Sequence, residues 1–573
     1  MFSIPIFARA LIGLGLAACG ACAASHPKAD EAATSQSFYT VTGEIALARH
    51  QPRTAALQYA AAAAGETDVT LLERATQVAA DTLQPTLTEK VAARWSQVDP
   101  KSVEAQRAAA RADLALYKID QSASHYRNVL AGSPLGADAE FKALEAELGS
   151  NDNIFGARQL ADRLASSYPS SPAALRVQGF TALRADDPAA AVHSFTAALA
   201  LPTSDQDSEH GARHELLQTL ARAQIMAGDA EKPLAQAQET LAREDTPANR
   251  LDYALLLMTA QRDSAASQQL EMLTKNKEYA PVALRLLGLV EFQQGHFDAA
   301  STRFAELLRA DKYLDDAFFY LGVIADRHDD PEQALRLYAQ VQGGDNAVPA
   351  LLRATSILQK HGAPAAADEL LDRLVEDEPL RAPEILAARA RIYMDAGDRP
   401  KGLAVLEAAR ADYPDSVELR YAMASSDEEM GRIPAALREL TDLVNSRPDD
   451  PAALNALGYT LADHSRELAR ARKLIERAYA AAPKNSAILD SLGWVMFRQG
   501  HVAEAETYLR TAYQDDRGGD IAAHLGEVLW RLGKPDEADH IWSEASAIDR
   551  DNRLLKATRQ RLHAAPPPSS AVN

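Results

Sequence analysis

Two cysteines are the most reactive side chains in the sequence, and both stand close to its start. Cys19 and Cys22 have the C-x-x-C spacing that redox and metal sites use. No second pair accompanies them, because these are the only two cysteines in the chain. A disulfide framework in the body of the protein is therefore excluded, and processing of the N-terminus is the better interpretation of the motif.

Other side chains capable of chemistry are scattered. The sequence contains 14 histidines but no HExxH, P-loop, GxSxG or GxGxxG motif. His328-Asp329-Asp330 and Arg517-Gly518-Gly519-Asp520 fall at predicted turns between helices, where Asp is a normal capping residue. We therefore predict no enzyme activity, no metal site and no cofactor.

The first 18 residues have the form of a bacterial export signal. Arg9 precedes an apolar run over residues 11–18, which is too short to span a bilayer as a helix. Leu16-Ala17-Ala18-Cys19 resembles the lipobox of bacterial lipoproteins, in which the chain is cut before the cysteine and that cysteine is acylated. The resemblance implies a lipoprotein signal peptide over residues 1–18 and lipidation of Cys19.

The residue after this cysteine indicates a location. By resemblance to the sorting rules of such lipoproteins, Gly20 rather than Asp implies the outer membrane, with the chain lipid-anchored at its periplasmic face. Each buried methylene of an acyl chain contributes about 0.8 kcal/mol, so several chains on one residue anchor firmly. Ala21-Cys22-Ala23 leaves an alternative open, since cleavage at a small-x-small site would give a soluble secreted protein.

Length and charge restrict the class of protein. A chain of 573 residues is too long for one compact core, so several domains or a repeat array are expected. Its net charge of −20 argues against binding to nucleic acid, which requires concentrated Lys and Arg.

A repeat runs through the chain with a period of 33 to 35 residues. It is clearest where Leu-Gly is followed by Ala and then by a large apolar residue, as in Leu492-Gly493, Ala505 and Leu509. The small residue of the second helix marks each repeat, and only the step from residue 191 to 233 is longer, at 42. These positions are Ala55, Thr88, Ala123, Ala157, Ala191, Pro233, Ala266, Ala300, Ala334, Ala367, Gly402, Ala436, Ala471, Ala505 and Ala538.

Two further columns support this register without having been used to set it. Gly recurs five residues before the small residue, where the first helix should end in a left-handed cap. Pro recurs two or three residues before it, where the second helix should begin. The pattern resembles tetratricopeptide repeats and predicts an all-α superhelical solenoid of about fifteen helix pairs. The glycines are Gly228, Gly295, Gly362, Gly397, Gly431, Gly500 and Gly533, and the prolines are Pro52, Pro188, Pro331, Pro364, Pro400, Pro434 and Pro535.

The register divides the chain into segments. We predict a tether over residues 19–37, an N-terminal superhelix over 38–201 and a polar insertion over 202–210. A C-terminal superhelix with a capping helix follows over 211–563. The Pro- and Ser-rich residues 564–573 should be a disordered tail.

A repeat array of this kind offers a concave groove, lined by the first helices, for peptides or helices of partner proteins. Residues near the Leu-Gly step that avoid the packing positions are candidates for partner binding, and some of them could instead pack between helix pairs. The candidates are Phe319, Arg285, Asn455, Tyr459, Asp490, Trp494, Phe497 and Trp530.

The last hundred residues carry a more specific resemblance. The stretches NALGYTLAD from Asn455, AILDSLGW from Ala487 and AHLGEVLW from Ala523 resemble proteobacterial outer-membrane tetratricopeptide lipoproteins. That family includes the lipoprotein binding partner of the periplasmic carboxyl-terminal processing protease. The resemblance, which covers residues 451–547, implies an adaptor that holds this protease together with its protein substrates, such as peptidoglycan hydrolases.

An alternative stays open at this point. A scaffold for exopolysaccharide secretion or outer-membrane assembly would use the same anchored architecture. A muramidase fused to repeats is a more distant possibility, because the repeats leave no stretch for a catalytic domain.

Overall fold

The computed structural model describes residues 28–201, 209–548 and 552–564, and these ranges contain thirty-one α-helices, one 3-10 turn and no strand. The prediction of an all-α tetratricopeptide solenoid is confirmed. The helices are α1 Lys28–Ala48, α2 Pro52–Ala62, α3 Val69–Asp81, α4 Pro85–Val98, α5 Val103–Ala115, α6 Ile119–Gly132, α7 Ala137–Gly149, α8 Ile154–Ser167, α9 Pro172–Arg184, α10 Pro188–Ala200, α11 Glu209–Met226, α12 Glu231–Arg243, α13 Pro247–Thr259, α14 Asp263–Leu273, α15 Ala280–Gln293, α16 Phe297–Arg309, α17 Leu314–Arg327, α18 Pro331–Tyr338, α19 Ala347–Lys360, α20 Pro364–Asp377, α21 Ala382–Asp395 (preceded by the 3-10 turn Pro379–Arg381), α22 Arg399–Asp412, α23 Val417–Glu429, α24 Ile433–Ser446, α25 Pro451–Asp463, α26 Leu468–Ala481, α27 Ser486–Arg498, α28 Val502–Asp515, α29 Gly519–Arg531, α30 Pro535–Ile548 and α31 Arg553–His563.

Helices α1 to α30 follow the fifteen predicted repeats, and each even-numbered helix carries one residue of the predicted small-residue column. All fifteen of these residues are buried. The two helices of a repeat pack on each other except in the fourth, where α7 packs on α9 and α8 packs on α6 and α9. At the crossing, the first helix presents a Gly to a large side chain of the second, as Gly493 does to Leu509 and Gly526 to Trp542. A Cβ built on Gly526 would lie 2.0 Å from the indole Nε1 of Trp542, so only glycine allows this approach.

The turns inside the pairs confirm the predicted caps. All seven predicted glycines adopt a positive φ, between 72° and 97°. In several other pairs a non-glycine residue takes the same left-handed conformation, for example His50, Leu83, Asp186 and Asp329. The cap is thus a property of the repeat, and glycine is its least strained occupant.

Some predicted boundaries need adjustment. Helix α1 begins at Lys28, so the second half of the segment 19–37 predicted as a tether is helical. The Ala, Glu and Lys residues at its start have high helix propensity, and this outweighs the small polar composition used to predict a tether. Helix α31 is the last helix of the segment predicted to end in a capping helix. The signal peptide, Cys19, residues 202–208 of the polar insertion and residues 565–573 of the tail lie outside the described residues.

Apolar packing continues across the predicted boundary between the two superhelices. Leu216 and Ala223 of α11 share a buried cluster with Phe195 and Ala198 of α10. At the C-terminal end the chain forms its largest buried cluster, which extends from α23 to α31.

The superhelix also contacts itself from one turn to the next. The side-chain amide of Gln84 donates to the carbonyl oxygen of Asp412 at 2.7 Å. The hydroxyl of Tyr117 donates to the carbonyl oxygen of Asp449 at 3.1 Å. The buried guanidinium of Arg447 donates to the carbonyl oxygen of Ala115 and lies over the Tyr117 ring, 5.6 Å from its centroid. The second and third pairs thus rest on α22 and on the connection between α24 and α25.

Candidate functional site

The predicted partner-binding residues concentrate in the first helices α25, α27 and α29. Asn455 and Tyr459 lie on α25, Asp490 and Trp494 on α27, and Trp530 on α29. Because the pairs stack in parallel order, these helices lie side by side.

The centre of this region is a histidine that the sequence analysis did not single out. His524 of α29 lies with its Nδ1 2.9 Å from a carboxylate oxygen of Asp490. Its ring stacks on Trp494 with centroids 4.1 Å apart. Its Nε2 is 3.5 Å from the hydroxyl of Tyr459. Three successive first helices therefore meet at one imidazole.

This cluster, which we call the His524 cluster (Tyr459, Asp490, Trp494 and His524), is enclosed. The exposed fraction is 2% for His524, 5% for Trp494 and 6% for Asp490, and Tyr459 is half-buried. The indole Nε1 of Trp494 donates to Asp463 at 3.1 Å.

The charges around His524 determine its protonation. Burial by itself lowers the pKa of His524, but the charge and hydrogen bond of Asp490, with the more distant Asp463 and Asp520, raise the pKa above its ordinary value. Burial, and after it the charges of Asp463 and Asp490, raise the pKa of Tyr459. The tyrosine hydroxyl therefore stays protonated, and the imidazole is held as the partner of Asp490.

The polar contacts of the His524 cluster hold helices of the same chain together. The line Tyr459–His524–Asp490 has the composition of a proton relay, but its groups are covered by their neighbours. Its effect is to link three helix pairs through buried polar contacts.

The three remaining aromatic candidates also pack within the chain. Phe497 of α27 is half-buried, and its ring centroid lies 5.3 Å from that of Trp494. Trp530 is 7% exposed and stacks on His563 of the capping helix, with centroids 5.2 Å apart. Phe319 of α17 lies in a separate cluster far along the chain, is 9% exposed and packs edge-on against Tyr320. Trp494, Trp530 and Phe319 therefore pack between helices, which is the alternative to partner binding that the sequence left open.

Two candidates are more accessible. Asn455 is half-buried, and its side-chain oxygen has no hydrogen-bond partner among the described residues. Arg285 of α15 forms an ion pair with Asp316 and lies over the Tyr313 ring, 5.4 Å from its centroid. Partner contact by any of the candidates stays a prediction.

One group in the described part of the chain has the spacing of a metal site. Ligand atoms of Glu428, Asp463 and His464 lie within 4.8 Å of one another. His464 Nε2 is 2.7 Å from Glu428, and Asp463 accepts a hydrogen bond from Trp494. Because these atoms already have protein partners, we assign the group to contacts between helix pairs.

The two suggestive polar motifs lie at the ends of helices. Residues 328–330 connect α17 with α18 as predicted, whereas Gly519 and Asp520 of the second motif already belong to α29. Asp330 caps α18, accepting a hydrogen bond from the amide of Gln333 at 3.0 Å. Gly518 precedes the first residue of α29. Among the helices that the structure describes, none is long and apolar enough to cross a bilayer.

Comparison with known proteins agrees with this geometry. One tetratricopeptide-repeat family model matches residues 393–458, and a second matches residues 285–349 and 491–542. Tetratricopeptide-repeat models thus match three stretches of the C-terminal half of this chain. Such repeats indicate a scaffold for protein–protein interaction, and the matching models indicate no enzyme family.

A relative in Pseudomonas aeruginosa, described as a tetratricopeptide-repeat-containing protein, is 33% identical over 255 residues. The match covers 44% of this chain and 43% of the relative, so the chain spans less than half the length of that protein. Among solved structures, yeast Tom70 is 12% identical, covers 93% of this chain and 100% of its own, and has a TM-score of 0.37. The Cut9–Hcn1 structure is 13% identical, covers 93% and 98%, and has a TM-score of 0.30.

Proposed function

We propose that this tetratricopeptide-repeat protein is a lipid-anchored periplasmic scaffold that binds a carboxyl-terminal processing protease and presents protein substrates to it. The observation that carries the proposal is the organisation of the chain. From α1 to α31, every described helix belongs to the repeat array or caps it. The chain therefore offers extended binding surface, and catalysis is left to the partner.

The choice of partner rests on sequence. The motifs of α25, α27 and α29 resemble those of outer-membrane lipoproteins that bind this protease. The repeat-containing relative in Pseudomonas aeruginosa is compatible with a proteobacterial lineage. A scaffold that holds protease and substrate together raises their effective concentration, which gains about 10²–10⁴ without new chemistry.

Reconstitution tests the proposal. The purified chain, the protease of the same organism and a peptidoglycan hydrolase are mixed in pairs and all together, and hydrolase cleavage is followed by gel. We expect no cleavage by the chain alone, slow cleavage by the protease alone and faster cleavage by the complete mixture. An unchanged rate, with no protease in complexes captured from membranes, would favour the secretion or assembly scaffold instead.

The anchor has its own test. If Cys19 is acylated, the intact mass of membrane-extracted protein includes the lipid, and Cys19→Ala releases a soluble form. An unmodified N-terminus at Ala24 or Ser25 would instead support ordinary signal cleavage.

A further inference from the structure

The first helix of the array carries an exposed apolar stripe. Phe38, Val41 and Ile45 of α1 are 62%, 58% and 45% exposed. Their spacing of three and four residues places them on one side of the helix. Large apolar residues in this arrangement are unusual for a surface that only meets water.

The repeat register identifies what this face is. Gly43 of α1 meets Tyr59 of α2 as Gly288 meets Phe304 and Gly322 meets Tyr338. Relative to this crossing glycine, Phe38 lies five residues before, Val41 two residues before and Ile45 two residues after. In the other six pairs with such a glycine, the three positions are buried or, at two of the middle positions, half-buried. These equivalents are Ala174, Val177, Thr181, Ala283, Leu286, Val290, Ala317, Tyr320, Ile324, Ala453, Ala456, Thr460, Ile488, Ser491, Val495, Ile521, His524 and Val528.

A helix covers the equivalent face inside the array. Leu270 and Leu273 of α14 share a buried cluster with Ala283 and Leu286 of α15. In the next pair, Leu307 of α16 lies in one cluster with two residues of this face of α17, Ala317 and Ile324. The second helix of each preceding pair therefore packs on this face, and α1 presents it with no preceding pair in the described chain.

The two ends of the array differ in this respect. At the C-terminal end, α31 packs on α29, and Arg561 forms an ion pair with Glu527 across them. Repeat arrays need such terminal caps to keep their stacking faces from water. The exposed face of α1 is apolar, as a surface that a capping helix covers would be.

We propose that the Phe38–Val41–Ile45 face binds an amphipathic helix of a partner protein, which packs as the second helix of a preceding pair. The inference goes beyond the proposed function, because it names a surface and holds whichever helical partner is recruited. Phe38 stands where α15 and α17 have Ala283 and Ala317, so the incoming helix needs a small residue opposite it.

The size of the face favours a single helix over a second copy of the chain. Inside the array, one helix of the preceding repeat covers the equivalent of these three side chains. A specific, stable protein–protein interface buries about 800 Å² on each partner and an obligate homodimer buries more, whereas the stripe consists of three side chains.

The probe is a peptide with the sequence of α16, residues 297–309, held helical by a hydrocarbon staple. It carries Leu307→Ala to supply the small residue, because Leu307 shares a cluster with Ala317, the counterpart of Phe38. Its binding to the full chain without the lipid is measured by fluorescence anisotropy. We expect saturable binding that weakens at least about tenfold in the Phe38→Ser, Val41→Ser, Ile45→Ser variant. Leu135→Ser is the matched control, because Leu135 is 74% exposed and lies in a connection between helices. Circular dichroism verifies that both variants fold.

Several outcomes would overturn the proposal. Absence of saturable binding, or binding equally strong to the triple variant, removes the docking site. Sedimentation that shows a dimer lost in the triple variant would assign the face to a second copy. Flotation with vesicles of the outer-membrane phospholipid composition, lost in the triple variant but not in Leu135→Ser, would assign it to the lipid surface.

Discussion

Replacing Gly526 by Ala tests the steric basis of the fold at its tightest crossing. The new Cβ would lie 2.0 Å from Nε1 and 2.3 Å from Cε2 of Trp542, against about 3.5 Å for a favourable contact. Trp542 is fully buried, so its indole has no free space to move into. Something in the crossing between α29 and α30 must shift.

The magnitude follows from two opposing effects. Gly to Ala in a helix stabilises by about 1 kcal/mol through propensity. Overpacking a filled core costs about 1–3 kcal/mol, and the enclosed indole places this site near the upper value. We therefore expect Gly526→Ala to lower the free energy of unfolding of the C-terminal pairs by about 2 kcal/mol.

Tryptophan fluorescence is a suitable assay, because three of the four tryptophans, Trp494, Trp530 and Trp542, lie in the last two pairs. With a urea slope of about 2 kcal/mol/M, the midpoint should fall by about 1 M. Gly149→Ala in α7 is the control, since no heavy atom lies within 4 Å of its added Cβ, and it should not lower stability. A Gly526→Ala midpoint equal to or above that of the wild type would refute the packing argument.

Two further predictions concern polar contacts. The pKa of His524 in the folded chain is raised above its unfolded value of about 6.5, so its contribution to stability is complete below pH 6.5 and is lost as the pH rises through the folded pKa. His524→Gln should flatten this pH dependence in thermal melts followed at several pH values. An unchanged pH profile would contradict the role of the Asp490 contact. Arg447→Ala should loosen the contact between turns of the superhelix, because it removes the hydrogen bond to Ala115 and the packing on Tyr117. The radius of gyration from solution scattering should therefore increase. An unchanged radius would show that other contacts hold the turns together.

Much of the fold follows from local sterics, and this is why the sequence predicts it. The crossing requires a small residue such as Ala505, the end of the first helix favours a glycine such as Gly500, and the second helix tolerates proline at its start. These requirements recur within each pair, so the same residue types recur at the same positions of the repeat. They can be recognised without knowing which pairs contact one another. Where a non-glycine residue such as Leu83 takes the left-handed cap, the column is interrupted, yet the structure keeps the turn.

The candidate site was less predictable, because burial depends on how pairs stack. Trp494 and Trp530 belong to helices that should line a groove, but His524 of α29 stacks on the first and His563 of α31 on the second. His524 carried one signal, its place two residues before Gly526 in the repeat register. The sequence carried no signal of the contact between Gln84 and Asp412, since this contact depends on the path of the superhelix over nine pairs.

The central claim, that the chain bridges a protease and its substrate, is tested most directly by the dependence of cleavage rate on scaffold concentration. Protease and peptidoglycan hydrolase are held at fixed concentrations while the purified chain is titrated from below to far above both. A bridging scaffold predicts a rate that rises to a maximum and then falls, because excess scaffold separates the two proteins onto different molecules. A rate that rises to a plateau, or does not change, would contradict the account.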